Sequence, residues 1–113
     1  MKTGDLGEEI VAKYMQAKGM EVLERNFLSR LGEIDIIAYD GEILVFTEVK
    51  TRKNRQYGSA LEAINHDKLS KIIKTANFYM LKEGFSDIQI RIDAAEVYLE
   101  DREVNYLENI YPY

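Results

Sequence analysis

The chain has 113 residues, of which 46% are hydrophobic and 31% are charged, and its formal net charge is −5. That length predicts a single domain over residues 1–113, and no apolar run approaches the roughly 20 residues of a membrane helix. With no cysteine and a single histidine, His66, disulfides, thiolate chemistry and a cysteine–histidine zinc site are excluded. Acidic residues stand near the N-terminus, where a secretory signal would be apolar, so we expect a cytoplasmic protein with no membrane partner.

The basic residues are concentrated in one segment of this acidic chain. Residues 50–82 hold eight lysines or arginines against two acidic residues. Such a segment indicates either a surface that binds a polyanion or two ordinary solvated faces of a helix and a loop. Charge alone does not decide between these interpretations.

Apolar spacing and turn residues predict seven elements. They are, in order, a helix over 5–18, strands over 20–27, 33–39 and 42–51, a mainly helical segment over 58–84, a strand over 87–99, and a short strand in the tail over 102–113. Asn65 is a candidate N-cap within the helical segment. The order α-β-β-β-α-β-β predicts an α/β fold in which helices flank a mixed central sheet.

The strands over 33–39 and 42–51 are predicted to form a hairpin. Asp40-Gly41 between them is typical of a two-residue turn, which would place Asp35 opposite Phe46. Both faces of the hairpin are apolar, which is typical of strands in the middle of a sheet with helices on each side. One predicted face carries Ile34, Ile36, Ile43, Val45 and Val49, and the other carries Ile37, Leu44 and Phe46.

Charged side chains interrupt this apolar hairpin. Strand periodicity places Asp35, Glu48 and Lys50 on one face, with the backbones of Asp35 and Glu48 about 7–8 Å apart as diagonal neighbours. Glu33 would lie opposite Glu48, at the margin of the cluster. Two such carboxylates repel each other unless a cation intervenes, and Mg²⁺ prefers carboxylate, water and phosphate oxygens. The alternative is a buried ion pair of Lys50 with Asp35 or Glu48, which stabilises a fold only weakly.

The first predicted helix offers a third carboxylate. Glu8 shares the packed side of that helix with Val11 and Met15, whereas Glu9 points away beside Lys13. Glu8 is therefore able to reach the sheet, or it is simply an acid favoured near a helix N-terminus.

The sequence resembles the YraN-like family of small bacterial endonuclease-like proteins, within the PD-(D/E)xK, or restriction-endonuclease-like, superfamily. The family is similar to archaeal Holliday-junction resolvases. The matching stretches cover nearly the whole chain in order: "GDLGEEIVAKYM", "VLERNFLSRLGEIDIIAYDGEILVFTEVKTR", "YGSALEAI", the helix that carries Lys68, and "RIDAAEV". Two positions depart from the pattern. Ile34 replaces the proline of the superfamily name, and Leu28 stands where relatives often carry a basic residue.

The resemblance implies a restriction-endonuclease-like core and a metal-dependent endonuclease that acts on DNA, including branched or structured DNA. It implies that Asp35 and Glu48 are metal ligands for Mg²⁺ or Mn²⁺, that Glu8 is the acid of the first helix, and that Lys50 is the catalytic lysine. The Val49 carbonyl is a further implied ligand. A resolvase-like reaction on a junction would need two active sites, hence a homodimer.

A nuclease of this kind must also hold the phosphates that flank the cleaved bond. The residues expected to do so are Arg52, Lys53, Arg55, Lys68 and Lys71. Each of them except Arg52, which adjoins the motif, is also consistent with an ordinary solvated surface residue.

Two other functions fit the same sequence. The first is a catalytically weak or inactive nucleic-acid-binding module of the same fold, which would bind in a salt-sensitive manner without cleaving. The second is a protein-assembly factor, for which the acidic net charge argues, together with the tyrosines of the tail "NYLENIYPY". We expect these tyrosines to be exposed, so that the tail could form a dimer contact.

Overall fold

The computed structural model describes residues 3–55 and 64–111, and it confirms the predicted order of helices and strands. The elements are α1 (Thr3–Ala17), β1 (Glu21–Ser29), β2 (Gly32–Asp40), β3 (Ile43–Arg52), α2 (His66–Glu83), β4 (Ile90–Tyr98) and β5 (Glu103–Leu107). The first part of the predicted helical segment, 58–63, lies outside the described residues. In the described part of the chain, no helix has the length and apolar character needed to cross a membrane.

The five strands form one mixed sheet in the order β1-β2-β3-β4-β5. β3 and β4 run parallel, and the three other neighbouring pairs are antiparallel. The chain between β3 and β4 must therefore cross over the sheet, and α2 belongs to that crossover. β2 and β3 are interior strands, as their two apolar faces predicted.

The two helices cover opposite faces of the sheet and thereby create two apolar layers. Under α1, Val11, Ala12 and Met15 pack with Ile36, Ala38, Ala95 and Val97. Under α2, Ala76 and Tyr79 pack with Phe27, Ile34, Ile37, Leu44 and Phe46. Burial of consecutive residues on both faces leaves few places for a charged group in β2 and β3, and each such group requires a local explanation.

A side-chain cap fixes where α2 begins. The Oδ1 atom of Asn65 accepts a 2.9 Å hydrogen bond from the backbone N–H of Lys68, which satisfies one of the free amides of the first turn. The predicted cap is therefore confirmed. It also fixes the position of Lys68 at the start of the helix.

The hairpin of β2 and β3 has a different register from the one predicted. Phe46 pairs with Ile37 and not with Asp35, so the prediction is wrong by two residues. The loop consists of residues 41–42 rather than of Asp40-Gly41.

A backbone conformation and a side-chain contact explain the observed loop. Gly41 takes a positive φ of 62° at the first loop position, a conformation that favours glycine there. Asp40 remains in the strand, where its Oδ2 accepts a 2.9 Å charge-assisted hydrogen bond from Arg91 of β4. Because a shift of two residues preserves the alternation of side chains, Glu48 and Lys50 still share one face of β3.

One predicted orientation is wrong, that of Ile34. It packs in the layer under α2, whereas Ile36 packs under α1, although both were predicted to share a face. In the neighbouring strand, Asn26 has a positive φ of 55°, which interrupts the regular alternation of an extended chain. The two strands change face together at this point, and Asp35 lies at the change.

Candidate active site

Asp35 lies where the two central strands separate. The ladder between β2 and β3 ends at the pair Ile36–Thr47. Beyond it, the Oδ2 atom of Asp35 accepts a 2.7 Å hydrogen bond from the backbone N–H of Val49. A side chain thus replaces the strand carbonyl that this amide would otherwise require. Only 6% of Asp35 is exposed, so its carboxyl group is buried at the opening between the strands.

The observed register changes which residues face each other at this opening. Continued beyond its last pair, the register places Asp35 directly across from Glu48, where a diagonal arrangement was predicted. The same extrapolated register would place Glu33, whose side chain is exposed, across from Lys50 rather than Glu48. The structure therefore strengthens the predicted proximity of the two buried carboxylates and leaves Glu33 at the margin.

Glu48 is buried, and two lysines neutralise it. Its Oε1 atom lies 3.5 Å from Nζ of Lys50 and 3.1 Å from Nζ of Lys68. Lys50 comes from the same strand, and Lys68 comes from the first turn of α2. The ion pair between Glu48 and Lys50, one of the two interpretations of the sequence, is therefore present, with a second lysine added to it.

Asp35 has no comparable partner. Among the described residues, no lysine, arginine or histidine forms an ion pair with it. Burial, and after it the charge of Glu48, raise the pKa of Asp35 from 3.8 to about 8. The hydrogen bond from Val49 opposes this rise, and Glu8 and Glu33 add to it. At neutral pH this carboxyl group therefore keeps a proton unless a cation joins it.

Helix α1 brings Glu8 to the same region through a close contact with β3. A Cβ atom at Gly7 would collide with Oγ1 of Thr51, so only glycine allows this approach. The Oε1 atom of Glu8 is buried without a hydrogen-bond partner. Burial raises the pKa of Glu8, while a hydrogen bond from Asn26 and the charge of Arg25 oppose the rise.

The neighbouring acid of α1 behaves as predicted. Oε2 of Glu9 accepts a 2.7 Å hydrogen bond from Arg25, and its other oxygen lies 3.9 Å from Nζ of Lys13. Glu9 is therefore neutralised at the surface, whereas the adjacent Glu8 turns inward with one oxygen unpaired.

The side chains of Asp35, Glu48 and Glu8 suit a hard divalent cation. All three are carboxylates, which is the ligand type that Mg²⁺ and Mn²⁺ accept. The unpaired oxygen of Glu8 and the unneutralised Asp35 are groups that a cation would satisfy. In the present arrangement, however, residues 3–55 and 64–111 contain no group of three or more His, Asp or Glu placed to hold a metal ion. The charges of both Glu48 and Glu8 act on Asp35, and that of Glu48 has the larger effect.

The residues expected to contact phosphates have different surroundings. Arg52 and Lys53 are exposed where β3 ends, and their carbonyls accept 2.9 Å hydrogen bonds from the chain after β4. Lys71 is exposed one turn after Lys68 on α2. Arg55 is already neutralised, because its guanidinium lies 2.8 Å from Asp101 and 3.0 Å from Glu103.

Sequence reasoning missed three contributions to the site. Lys68 was expected only to contact phosphate, but it pairs with Glu48. Asn26 supports Glu8, and the available signal was an asparagine in a strand, where this residue is uncommon. Glu96 of β4, which is buried and pairs in register with Lys50, accepts a 2.7 Å hydrogen bond from Asn105. The signal there was an acid in the apolar stretch "RIDAAEV".

The fold and the site define an α/β protein in which a buried acidic and lysine cluster lies where the central strands of a mixed sheet diverge. The chain belongs to Uncharacterised protein family UPF0102, whose model matches residues 7–97. This is the YraN family that the motifs indicated. All candidate site residues, from Glu8 to Lys71, lie within the matched range.

Individual members of the family match almost end to end. The UPF0102 protein of Alkaliphilus metalliredigens is 39% identical over 109 residues, which cover 96% of each chain. That of Clostridium botulinum (strain 657 / Type Ba4) is 48% identical over 104 residues, covering 91% of this chain and 85% of the relative. That of Vibrio campbellii is 37% identical over 108 residues, covering 94% and 88%.

Proposed function

We propose that this protein is a metal-dependent endonuclease of the PD-(D/E)xK type that hydrolyses phosphodiester bonds in DNA, with branched or structured DNA as its substrate, in the cytoplasm. The observation that carries the proposal is the unneutralised, buried Asp35 beside Glu48, with Lys50 paired to the latter. A carboxyl group held at a raised pKa beside a second acid is typical of a functional site.

Asp35 and Glu48 would hold Mg²⁺ or Mn²⁺, and Glu8 is the candidate for a third ligand. When bound, such an ion supplies positive charge at the phosphate and a water of lowered pKa. Asp35 loses its proton when it becomes a ligand, because only the carboxylate form binds a cation well. Metal affinity is therefore expected to rise with pH up to about 8, where Asp35 ionises.

The two lysines supply the rest of the chemistry. Lys50 orients the attacking water or stabilises the negative charge that develops on the phosphate. Its side chain is 26% exposed and that of Lys68 is 39% exposed, so both side chains are partly accessible to a phosphate at the site. Two ammonium groups at one carboxylate bring positive charge to the acidic site.

Flanking phosphates would be held by residues around this opening. Arg52, Lys53 and Lys71 carry exposed positive charge for this purpose, whereas the ion pairs of Arg55 make it a weaker contributor. Such contacts position a nucleic acid without reading its bases. Cleavage of a four-way junction would require two copies of the site, hence a homodimer.

A cleavage assay tests this function. The purified protein is incubated with a four-way junction, a flapped duplex and a linear duplex, in Mg²⁺ or in Mn²⁺. We expect Asp35→Asn and Lys50→Ala to reduce cleavage at least about a hundredfold. Lys18→Ala, which removes an exposed lysine at the end of α1, should cleave as the wild type does. Cleavage that survives both site variants would exclude the assignment.

A second function, a nucleic-acid-binding module without catalysis, is favoured by one observation. Lys50 and Lys68 already neutralise Glu48, and the described carboxylates do not form a complete metal site. This function predicts salt-sensitive binding of DNA or RNA and no cleavage at any concentration of Mg²⁺ or Mn²⁺.

The structure weakens the argument for a protein-assembly factor. Tyr106 was expected to be exposed in the tail, but its ring stacks on Tyr14 at 5.6 Å and its hydroxyl group donates a 2.6 Å hydrogen bond to Asp93. Tyr111 is 42% exposed. The two described tyrosines of the tail, Tyr106 and Tyr111, thus do not form one exposed surface.

A further inference from the structure

A cleft with an apolar floor lies between the tip of the β1–β2 hairpin and the last turns of α2. It encloses about 530 Å³. Its lining includes the aromatic rings of Phe27 and Phe78, the apolar side chains of Leu28 and Leu31, and the cationic side chains of Arg30 and Lys82. None of the described residues that line it is acidic, although the chain as a whole contains 20 acidic residues.

The aromatic groups of this cleft are arranged as a floor and a wall. Phe27 is buried, and its ring centroid lies 6.2 Å from that of Phe78. The ring of Phe78 is on the surface, with 42% of the residue exposed. The ammonium group of Lys82 lies 5.4 Å from the centroid of the Phe27 ring. An exposed ring beside a cation is the combination that receives an unpaired base and its phosphate.

The cleft and the acidic site are joined along one face of α2. Lys68, Lys71, Phe78 and Lys82 recur at helical spacing on that face. The tip of the β1–β2 hairpin lies against it, since a Cβ atom at Gly32 would come within 2.9 Å of Oγ1 of Thr75. The ten residues from Lys68 to Phe78 span about 15 Å of helix axis, a distance that a few nucleotides cover, since even the stacked strand of a duplex rises roughly 3.4 Å per nucleotide.

We propose that this cleft binds an unpaired strand of the nucleic acid, a few nucleotides from the phosphodiester bond at Asp35 and Glu48. The proposal rests on the proposed function for the identity of its substrate. A duplex hides its base faces within the stack, whereas a single strand offers them to aromatic side chains. The cleft would therefore favour flapped or branched DNA over a continuous duplex.

A second copy of the chain is a poorer occupant of this cleft. In a two-fold symmetric contact, the same patch faces itself, so Arg30 and Lys82 would approach the same cations of the partner. Like charges brought together at a desolvated contact oppose association. A polyanion meets the same cations favourably.

Binding is measured by fluorescence anisotropy in EDTA, which separates it from cleavage. The probes are a labelled twelve-residue oligothymidylate and a labelled blunt duplex. We expect Phe78→Ala to weaken binding of the single strand roughly tenfold and to leave binding of the duplex nearly unchanged. Lys82→Gln, a conservative surface change, should lower the slope of log affinity against log salt by about 0.7 for the single strand.

Matched controls exclude a general effect of surface changes. Leu107→Ala alters a residue of the same 42% exposure on β5, and Lys18→Gln removes an exposed cation from the turn that follows α1. Both should bind the single strand as the wild type does. Equal single-strand affinity in the wild type, Phe78→Ala and Lys82→Gln would overturn the proposal. So would a dimer in sedimentation that Phe78→Ala dissociates while single-strand affinity stays unchanged.

The proposed nuclease function and the proposed single-strand site in the cleft can be refuted independently of each other. If the wild type cleaves DNA but Phe78→Ala affects neither single-strand binding nor the preference for a flap over a duplex, only the cleft proposal is wrong. If the cleft variants lose single-strand binding but the wild type cleaves no substrate in Mg²⁺ or Mn²⁺, the nuclease function is wrong, and the cleft stands as a binding site.

Discussion

Two buried aspartates in this sheet have opposite surroundings. Asp93 of β4 is fully buried, and it accepts hydrogen bonds from Arg91 at 2.9 Å, from the hydroxyl group of Tyr106 at 2.6 Å and from the backbone N–H of Asn109 at 2.8 Å. Asp35 accepts one hydrogen bond, from Val49, and has acidic neighbours. A buried carboxylate with every site satisfied is a structural element, whereas one that lacks a counter-charge indicates a ligand.

The consequences extend to the partners of each carboxylate. Around Asp93, burial and the hydrogen bond to the carboxylate raise the pKa of Tyr106, so the phenol stays protonated and remains a donor. Its hydroxyl group also lies 3.0 Å from Oγ1 of Thr47, which ties β5 to β3. No such network surrounds Asp35 in the described chain. Burial alone therefore does not distinguish the candidate site. The number of hydrogen-bond donors and cations around each carboxylate distinguishes it.

The largest expected difference between the two aspartates is in stability. Asp93→Asn leaves the guanidinium group of Arg91 buried without its main partner, and we expect a loss of about 3–5 kcal/mol in the free energy of unfolding. Asp35→Asn removes a repelled charge while keeping the shape, so it should leave the metal-free protein as stable as the wild type or more so. Urea denaturation in EDTA at pH 8 measures both, and equal losses would refute the distinction.

The second largest effect is expected when a metal ion is added, because only the carboxylates of Asp35 and Glu48 are proposed to bind it. If Asp35 and Glu48 hold Mn²⁺, an ion at one hundred times its dissociation constant stabilises the fold by about 2.7 kcal/mol. Thermal unfolding with and without Mn²⁺ should show this for the wild type and for Lys18→Ala, and not for Asp35→Asn. Stabilisation of Asp35→Asn equal to that of the wild type would place the ion elsewhere.

The pH dependence of stability follows from the raised pKa of Asp35. Between pH 3.8 and about 8 the folded protein keeps a proton on this group that the unfolded chain releases. Stability therefore falls as pH rises through this window, and below and above it Asp35 causes no further change of stability with pH. The slope for one proton approaches about 1.4 kcal/mol per pH unit. In EDTA, Asp35→Asn should lack this slope, and an unchanged slope would show that another group causes it.

The smallest effect concerns the cap of α2. Asn65→Ala removes the acceptor for the Lys68 amide and should lower stability by about 1 kcal/mol. Because Lys68 is anchored in that first turn, cleavage should fall as well, by a few fold. Asn77→Ala, an exposed change within the same helix, is the matched control. A loss of stability without any change in cleavage would show that Lys68 does not depend on the cap for its role.

The sequence predicted the elements and the shared face of Glu48 and Lys50 on β3, because strand periodicity and turn chemistry are local properties. The predicted register of β2 and β3 was wrong, because the contact with Arg91 that keeps Asp40 in its strand joins distant parts of the chain. The change of face beside Asn26 was also not predicted, because the prediction assumed that side chains alternate regularly along the strand. The pairing of Lys68 with Glu48 depends on where α2 crosses the sheet, and no local pattern contains that information.

The hydrogen bond between the Val49 amide and Asp35 makes one backbone group a spectroscopic probe of the site. An amide proton that donates to a carboxylate resonates at lower field than one that donates to a protonated acid. In a ¹H–¹⁵N spectrum, this single resonance should therefore move as the aspartate ionises, and it should move again when an ion binds. The interior of the sheet thus reports on events at its opening without any attached label.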